Sequence, residues 1–391
     1  MDPIVNIIRK LIGAQVCGME YSIEMPFTEE ELQRMYHLSC VQDVAHLVAS
    51  ELEKQHCLDQ STIAEKFRHR QMLAVFRYQR IQYELDEICR ILEKEQIPHI
   101  PLKGAILRQY YPEPWMRTSA DIDLLVHPKQ LEQATNCLVK QLEYRSEGTS
   151  RHDVQMFAPS GVHLELHFDT VEEKRAGNAN QILTDIWNYA IPEQGFQFRY
   201  ALSDDLFYFY HIAHMAKHFE TGGCGLRFFL DLWLLNHRKE FDLSKRTALL
   251  DQGGLLVFEQ AAKDLSEVWF SNKEHSDMSQ KMETYVLESG LYGSNDHSVA
   301  IKQIKKGSSL KYSMGLIFLP YSAIKKMYPI CEKHPILFPF CQIARWFRLI
   351  FGGRMKDSIK KLNHSQEIGK NQKDQINNLL TELGLEAAAG T

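Results

Sequence analysis

Arg117-Thr118-Ser119-Ala120-Asp121-Ile122-Asp123-Leu124-Leu125-Val126 is the stretch whose reading decides the fold. Ile122, Leu124 and Val126 alternate with Asp121, Asp123 and Leu125, which predicts a strand with both carboxylates on one face and an apolar set on the other. Two like charges side by side repel. Such a pair persists where a cation neutralises it, and oxygen ligands at this spacing suit Mg²⁺ or Mn²⁺. An Asp-x-Asp tripeptide is common by chance, so the surrounding residues have to carry the reading.

Immediately upstream, Ile97-Pro98-His99-Ile100-Pro101-Leu102 is a short apolar run ending in Lys103-Gly104, and Ala105–Tyr111 follows at helical spacing. A strand that turns into a helix at a glycine lets a ligand approach the backbone, and a helix N-terminus offers free N–H groups that favour phosphate. Lys103 adds a cation. Downstream, His127-Pro128 stops the strand and Lys129–Tyr144 reads as a helix. Asp153–Ala158 and Val162–Phe168 then flank Pro159-Ser160-Gly161, which predicts a hairpin. Its second strand sets His163, Glu165 and His167 on one face, so a third carboxylate can join the first two.

These residues resemble the nucleotidyltransferases of the DNA polymerase beta superfamily, and within it a bacterial group of uncharacterised nucleotidyltransferases. The similarity rests on Leu102-Lys103-Gly104, Tyr111-Pro112, Arg117 with Asp121-Ile122-Asp123, Glu165-Leu166-His167, and more loosely Lys217-His218 and Arg227 with Asp231. The superfamily's usual Gly-Ser or Gly-Gly turn is Gly104-Ala105 here. The resemblance implies transfer of a nucleoside monophosphate from a nucleoside triphosphate to an acceptor hydroxyl, with release of pyrophosphate. It makes Asp121, Asp123 and Glu165 catalytic and the ligands of Mg²⁺ or Mn²⁺. It places Lys103, Gly104, Arg117, Lys217, His218 and Arg227 around the nucleotide. The acceptor stays open: a small molecule such as an antibiotic or a sugar, a protein side chain, or a tRNA end.

The expected class is α+β: a small mixed-sheet core at 96–200 between helical regions at 1–95 and 201–391. Thr28-Glu29-Glu30-Glu31 reads as a capped helix start, and Val41–Gln55 and Thr62–Lys94 as further helices. Leu73, Val75, Phe76, Ile81, Leu85, Ile88 and Ile91 are expected to form the buried face of the last. Ser203-Asp204-Asp205 caps another helix, which carries His211, His214 and His218 at steps of three and four.

Alternatives stand beside each reading. Asp121 and Asp123 could be a solvated strand end or pair with Arg117, and Arg227 could pair with Asp231 four residues on. His163, Glu165 and His167 could make a zinc hydrolase site, and the whole could be a non-catalytic nucleotide-sensing or scaffold protein. No run approaches the roughly 18–20 apolar residues of a membrane span, and the N-terminus lacks the order of a signal peptide, so the expected compartment is the cytoplasm. Eight scattered cysteines without a Cys-x-x-Cys fit packed thiols better than a disulfide framework. Residues 302–361 hold 13 Lys and Arg against Glu332 and Asp357, in a chain of net charge −5. Large apolar residues are interspersed there; solvated helices packed on the core are the commoner reading of such a pattern, and a weak, salt-sensitive anionic partner, RNA or a membrane surface, stands beside it as a hypothesis.

Overall fold

The computed structural model describes residues 2–171, 178–238, 240–289, 295–351 and 369–385. Contacts divide the chain into two compact units, one of Met1–Ala216 with Gly225–Leu291 and one of Lys217–Cys224 with Tyr292–Thr391. The expected parts 1–95 and 96–200 and the stretches 201–216 and 225–291 of the third fall together in the first of these units.

The first unit opens with helices α1 (Pro3–Ile12), α2 (Glu29–Val41), α3 (Ala45–Lys54) and α4 (Ala64–Lys94). Thr28 and Glu31 close the capping box that starts α2. The helix expected from Val41 begins only at Ala45, since Asp43 adopts φ 51° and turns the chain between α2 and α3. Strands β1 (His99–Pro101) and β2 (Asp121–Val126) flank the short α5 (Gly104–Leu107), and α6 (Leu131–Leu142) leads into β3 (Arg145–Thr149), β4 (Asp153–Phe157) and β5 (His163–His167).

The five strands form one mixed sheet in the order β1-β2-β5-β4-β3. β2 and β5 run parallel, and the other neighbours are antiparallel. Strand β3 escaped the sequence reading because all five of its residues are exposed, so it carries no apolar alternation. One face of the sheet is apolar. Ile122, Leu124 and Val126 of β2, Leu164 and Leu166 of β5 and Val154 and Met156 of β4 pack with Ile81, Leu85, Ile88 and Leu92 of α4 and with Ala134 and Leu138 of α6. The aspartate-bearing face is thereby left on the opposite side, as period two requires. The fold is α+β, helix-rich around a small mixed sheet.

The buried stripe of α4 runs through Phe67, Ala74, Ile81 and Ile88, one residue every seven. Leu73 and Phe76, expected in it, are 37% and 56% exposed. Phe76 lies two residues past Ala74 and so about 200° around the helix, on the far side.

After α7 (Ala179–Thr184), the small ribbon β6 (Ala190–Pro192) and β7 (Tyr200–Leu202) precedes α8 (Asp204–Phe219), α9 (Leu226–His237), α10 (Leu243–Gln252), α11 (Leu256–Phe270) and α12 (Asp277–Ser289). The second unit holds α13 (Asn295–Lys305), α14 (Ser309–Ile317), α15 (Tyr321–Met327), α16 (Ile330–Lys333), α17 (Phe338–Phe351) and α18 (Lys370–Glu382). Residues 352–361 of the basic segment lie outside the described residues. Among the described residues, no helix is long and apolar enough to cross a membrane.

Candidate active site

Register brings the carboxylates together. In the parallel pairing of β2 with β5, Asp123 stands opposite Glu165 and Asp121 opposite His163. Residues directly opposite share a face, so Asp121, Asp123 and Glu165 form one acidic cluster across two strands. Donor atoms can be chosen within 4.8 Å of one another in two adjacent sets, Asp121–His163–Glu165 and Asp123–Glu165–His167, which share Glu165. Such a set of oxygen-rich donors can hold a divalent cation.

Two cationic side chains converge on Asp123. Lys103 Nζ donates to its Oδ1 at 2.8 Å, and His167 Nε2 lies 2.9 Å from the same oxygen and 3.5 Å from Glu165 Oε2. Burial alone would lift the Asp123 carboxyl, but Lys103 and His167 together hold it well below the carboxylate range. Burial would lower the Lys103 ammonium, and Asp123, with Tyr210 and Glu165, raises it instead. The contact with His167 lowers Glu165 against its own burial. His167 is raised: burial works against its charge, and the bonds to Asp123 and Glu165 outweigh it. Asp121 goes the other way, lifted by burial and then by the charges of Asp123 and Glu165. Lys103 and His163 oppose these only in part, so of the three carboxylates Asp121 is the one whose charged form its surroundings disfavour, and a bound cation would favour it.

The turn that delivers Lys103 differs from expectation. The strained residue is Lys103 itself, at φ 45° and ψ −114°, a region that glycine favours. Gly104 has ordinary dihedrals and serves close packing, since a Cβ there would meet Ser119 Cβ at 3.3 Å. The expectation of several free N–H groups at this helix start is also corrected. The Ala105 N–H donates to Leu102 O, and those of Ile106 and Leu107 donate to Lys103 O.

Arg117 and Arg227 are committed to a buried network. Arg117 Nε donates to both oxygens of Asp231, at 2.8 and 3.0 Å, and the Tyr111 hydroxyl donates to Asp231 Oδ1 at 2.7 Å. Arg227 Nη1 donates to Asp43 Oδ2 at 2.9 Å and to Thr118 O and Oγ1 at 3.0 Å. Neither the Arg117–Asp121 pair nor the Arg227–Asp231 pair considered from spacing is the arrangement found. Each arginine instead ties the residues just before β2 to a helix or loop remote in sequence. Lys217 and His218 end α8 and begin the second unit.

The zinc trio considered for β5 does not converge. His163 and His167 stand four residues apart on a strand, about 13 Å along it, and they fall in separate donor sets. His211 and His214 of α8 sit against the Phe228 ring, at 6.1 and 5.7 Å between centroids, as aromatic packing.

Some residues at the site were missed from sequence. Tyr210, inside the run Phe207–Tyr210, is near enough to feel Lys103, Asp123 and Glu165, and its phenol is pushed up to about 12, chiefly by burial. Arg108 is buried with its guanidinium on Ser119 Oγ, and burial followed by Arg117 lowers it to about 10. Both looked like ordinary helix residues, and no spacing rule separates them from their neighbours.

A family model described as uncharacterised nucleotidyltransferase matches residues 28–271. The chain belongs to that family. The match runs from the cap of α2 to the residue after α11, so the family unit includes the N-terminal helices as well as the sheet and the acidic cluster. Membership supports a nucleotidyltransferase-type function, and the acidic cluster can hold a metal. No curated protein and no solved structure matches the chain.

Proposed function

We propose that this protein transfers a nucleoside monophosphate from a nucleoside triphosphate to an acceptor hydroxyl, releasing pyrophosphate, at the face formed by Asp121, Asp123 and Glu165. The observation that carries the reading is the β2–β5 register, which sets Asp123 against Glu165 with Asp121 two residues away on the same face. The donor set fits Mg²⁺ or Mn²⁺: two carboxylates and one histidine in each of two sets that share Glu165, with an Asp121 whose charged form burial and its acidic neighbours disfavour. When bound, such ions neutralise phosphate charge and stabilise the entering and departing oxygens of an in-line displacement.

The chain's own residues supply the rest. Lys103 stays protonated and lies on the carboxylates, where it can turn to an entering phosphate. His167 fixes the orientation of Asp123 and Glu165. Glu165, ionised at neutral pH, can take the proton of the acceptor hydroxyl at its carboxylate. Arg117 and Arg227 act on the site by holding the lead-in to β2, and Gly104 allows that lead-in to approach. Lys217 and His218 are assigned to nucleotide contact on the family resemblance alone. The acceptor is a small molecule, a protein or a tRNA end, and a weak anionic partner for the described part of 302–361 fits the exposed Phe340, Ile343 and Phe347 interspersed with Arg345 and Arg348 on α17. The proposed compartment is the cytoplasm.

The test is incubation with labelled ATP, GTP, CTP or UTP, Mg²⁺ and a cell extract. Label transferred to an acceptor by the parent and not by Asp121→Asn is expected. Magnesium-dependent nucleotide binding without any transfer or pyrophosphate would leave a nucleotide-sensing protein, and no binding at all would remove both readings.

A further inference from the structure

The acidic face does not end at β5. Register sets Asp153 of β4 opposite His167, so this fourth carboxylate lies on the same face, one strand farther from Asp123. Asp153 is only 2% exposed. Its Oδ2 lies 3.2 Å from His152 Nε2, while its Oδ1 is buried and has no hydrogen-bond partner among the described residues. A buried acceptor left unpaired is costly, and a carboxylate oxygen more so than a neutral one, which marks a place for a cation or donor. The His152 ring stacks beside that of His167, with centroids 5.9 Å apart and planes within 16°. One donor atom from each of His152, Asp153 and His167 can be chosen so that all lie within 4.8 Å of one another.

We propose that His152, Asp153 and His167 form a binding site for a divalent transition metal of the Zn²⁺ class, separate from the carboxylate trio and adjoining it. Two imidazoles and one carboxylate are a borderline-soft donor set that suits Zn²⁺ or Co²⁺ and not Mg²⁺. His167 Nε2 is engaged with Asp123, which leaves Nδ1 for the ion and makes Asp123 the carboxylate that orients a metal-bound imidazole. Closing the three donors around one ion brings them to about 3.3 Å from one another, as tetrahedral bonds of about 2.0–2.1 Å require. Three protein ligands leave one position open. His152, with 20% of its side chain exposed, gives the ion a way in.

The site is tested on the full chain, stripped with chelator and then freed of it, by titration with Co²⁺ followed through its visible absorption and with Zn²⁺ by calorimetry, in excess Mg²⁺. One equivalent should bind to the parent protein and equally to Asp121→Asn, which keeps all three donors. His152→Ala and Asp153→Asn should each weaken binding about tenfold or more. His152 is partly exposed, so its truncation leaves the fold intact even if Asp153→Asn does not. Absence of binding to the parent, or binding by His152→Ala as tight as the parent's, overturns the proposal. So does an ion lost from Asp121→Asn and kept by His152→Ala, because that ion sits on the carboxylate trio. Nucleotidyl transfer in Mg²⁺ is scored separately, so the fate of the transferase reading does not decide this one.

Discussion

Asp231→Asn tests whether Arg117 is a structural residue or a phosphate ligand. Asp231 is fully buried and accepts from Arg117 Nε at 2.8 and 3.0 Å and from the Tyr111 hydroxyl at 2.7 Å, while Arg117 itself is 8% exposed. Asparagine keeps the volume, so no cavity contributes, but it leaves the guanidinium charge buried without its counter-charge. Breaking a buried pair from one side costs about 3–5 kcal/mol, a drop of about 5–8 °C in the melting temperature of a unit this size. Tyr111→Phe removes one hydrogen bond to a charged group and leaves the ion pair, so it should cost less, about 1.5–2 kcal/mol. Guanidinium unfolding followed by circular dichroism, read on the transition of the first unit, measures both. A cost below about 1 kcal/mol for Asp231→Asn, with nucleotide affinity changed in the protein that remains folded, would refute the structural role and return Arg117 to the nucleotide.

Asp121→Asn and Asp123→Asn should both abolish magnesium-dependent transfer, yet they should separate in stability: the first is neutral or stabilising because it removes a carboxyl already lifted by burial and then by its acidic neighbours, and the second costs about 3 kcal/mol because it strips Lys103 and His167 of their shared partner. Equal melting temperatures for the two would contradict the assignment of charges. Lys103→Gly should be more stable than Lys103→Ala by about 1 kcal/mol, since both lose the ammonium and only glycine relaxes at φ 45°, ψ −114°; an alanine variant as stable as the glycine one would place no strain there. His46, buried with Nε2 on Met116 O at 2.8 Å, has its pKa lowered by burial from 6.5 to about 4. Its folded value lies below the unfolded one, so its contribution is complete above about pH 6.5 and is lost as the pH falls toward 4, by up to about 3 kcal/mol. Denaturation at a series of pH values should show this slope in the parent and a flatter one in His46→Gln.

Local alternation was enough to find β2, β5 and the hairpin before β5, and to put Asp121 with Asp123 and Glu165 with His167 each on one strand face. That information is carried by a period of two, which any sequence with one buried face must display. Helical periodicity located α4 but misjudged its stripe, because Leu73 and Phe76 are apolar without lying on the seven-residue line through Ala74 and Ile81.

What the sequence by itself determined, then, is the α+β class, the strands that bear acid and the likeness to nucleotidyltransferases, all of which rest on residues close together in the chain. Only the tertiary structure decided that β2 lies beside β5, and hence that Asp123 faces Glu165, and that Lys103 spans twenty positions to reach Asp123. It also decided that Arg117 and Arg227 serve a buried network with Asp231, Asp43 and Thr118. The physical reason is that pairing across a sheet and neutralisation of buried charge depend on distances in space, and the partners that satisfy them lie tens to more than a hundred residues apart, where no periodicity or spacing rule reaches.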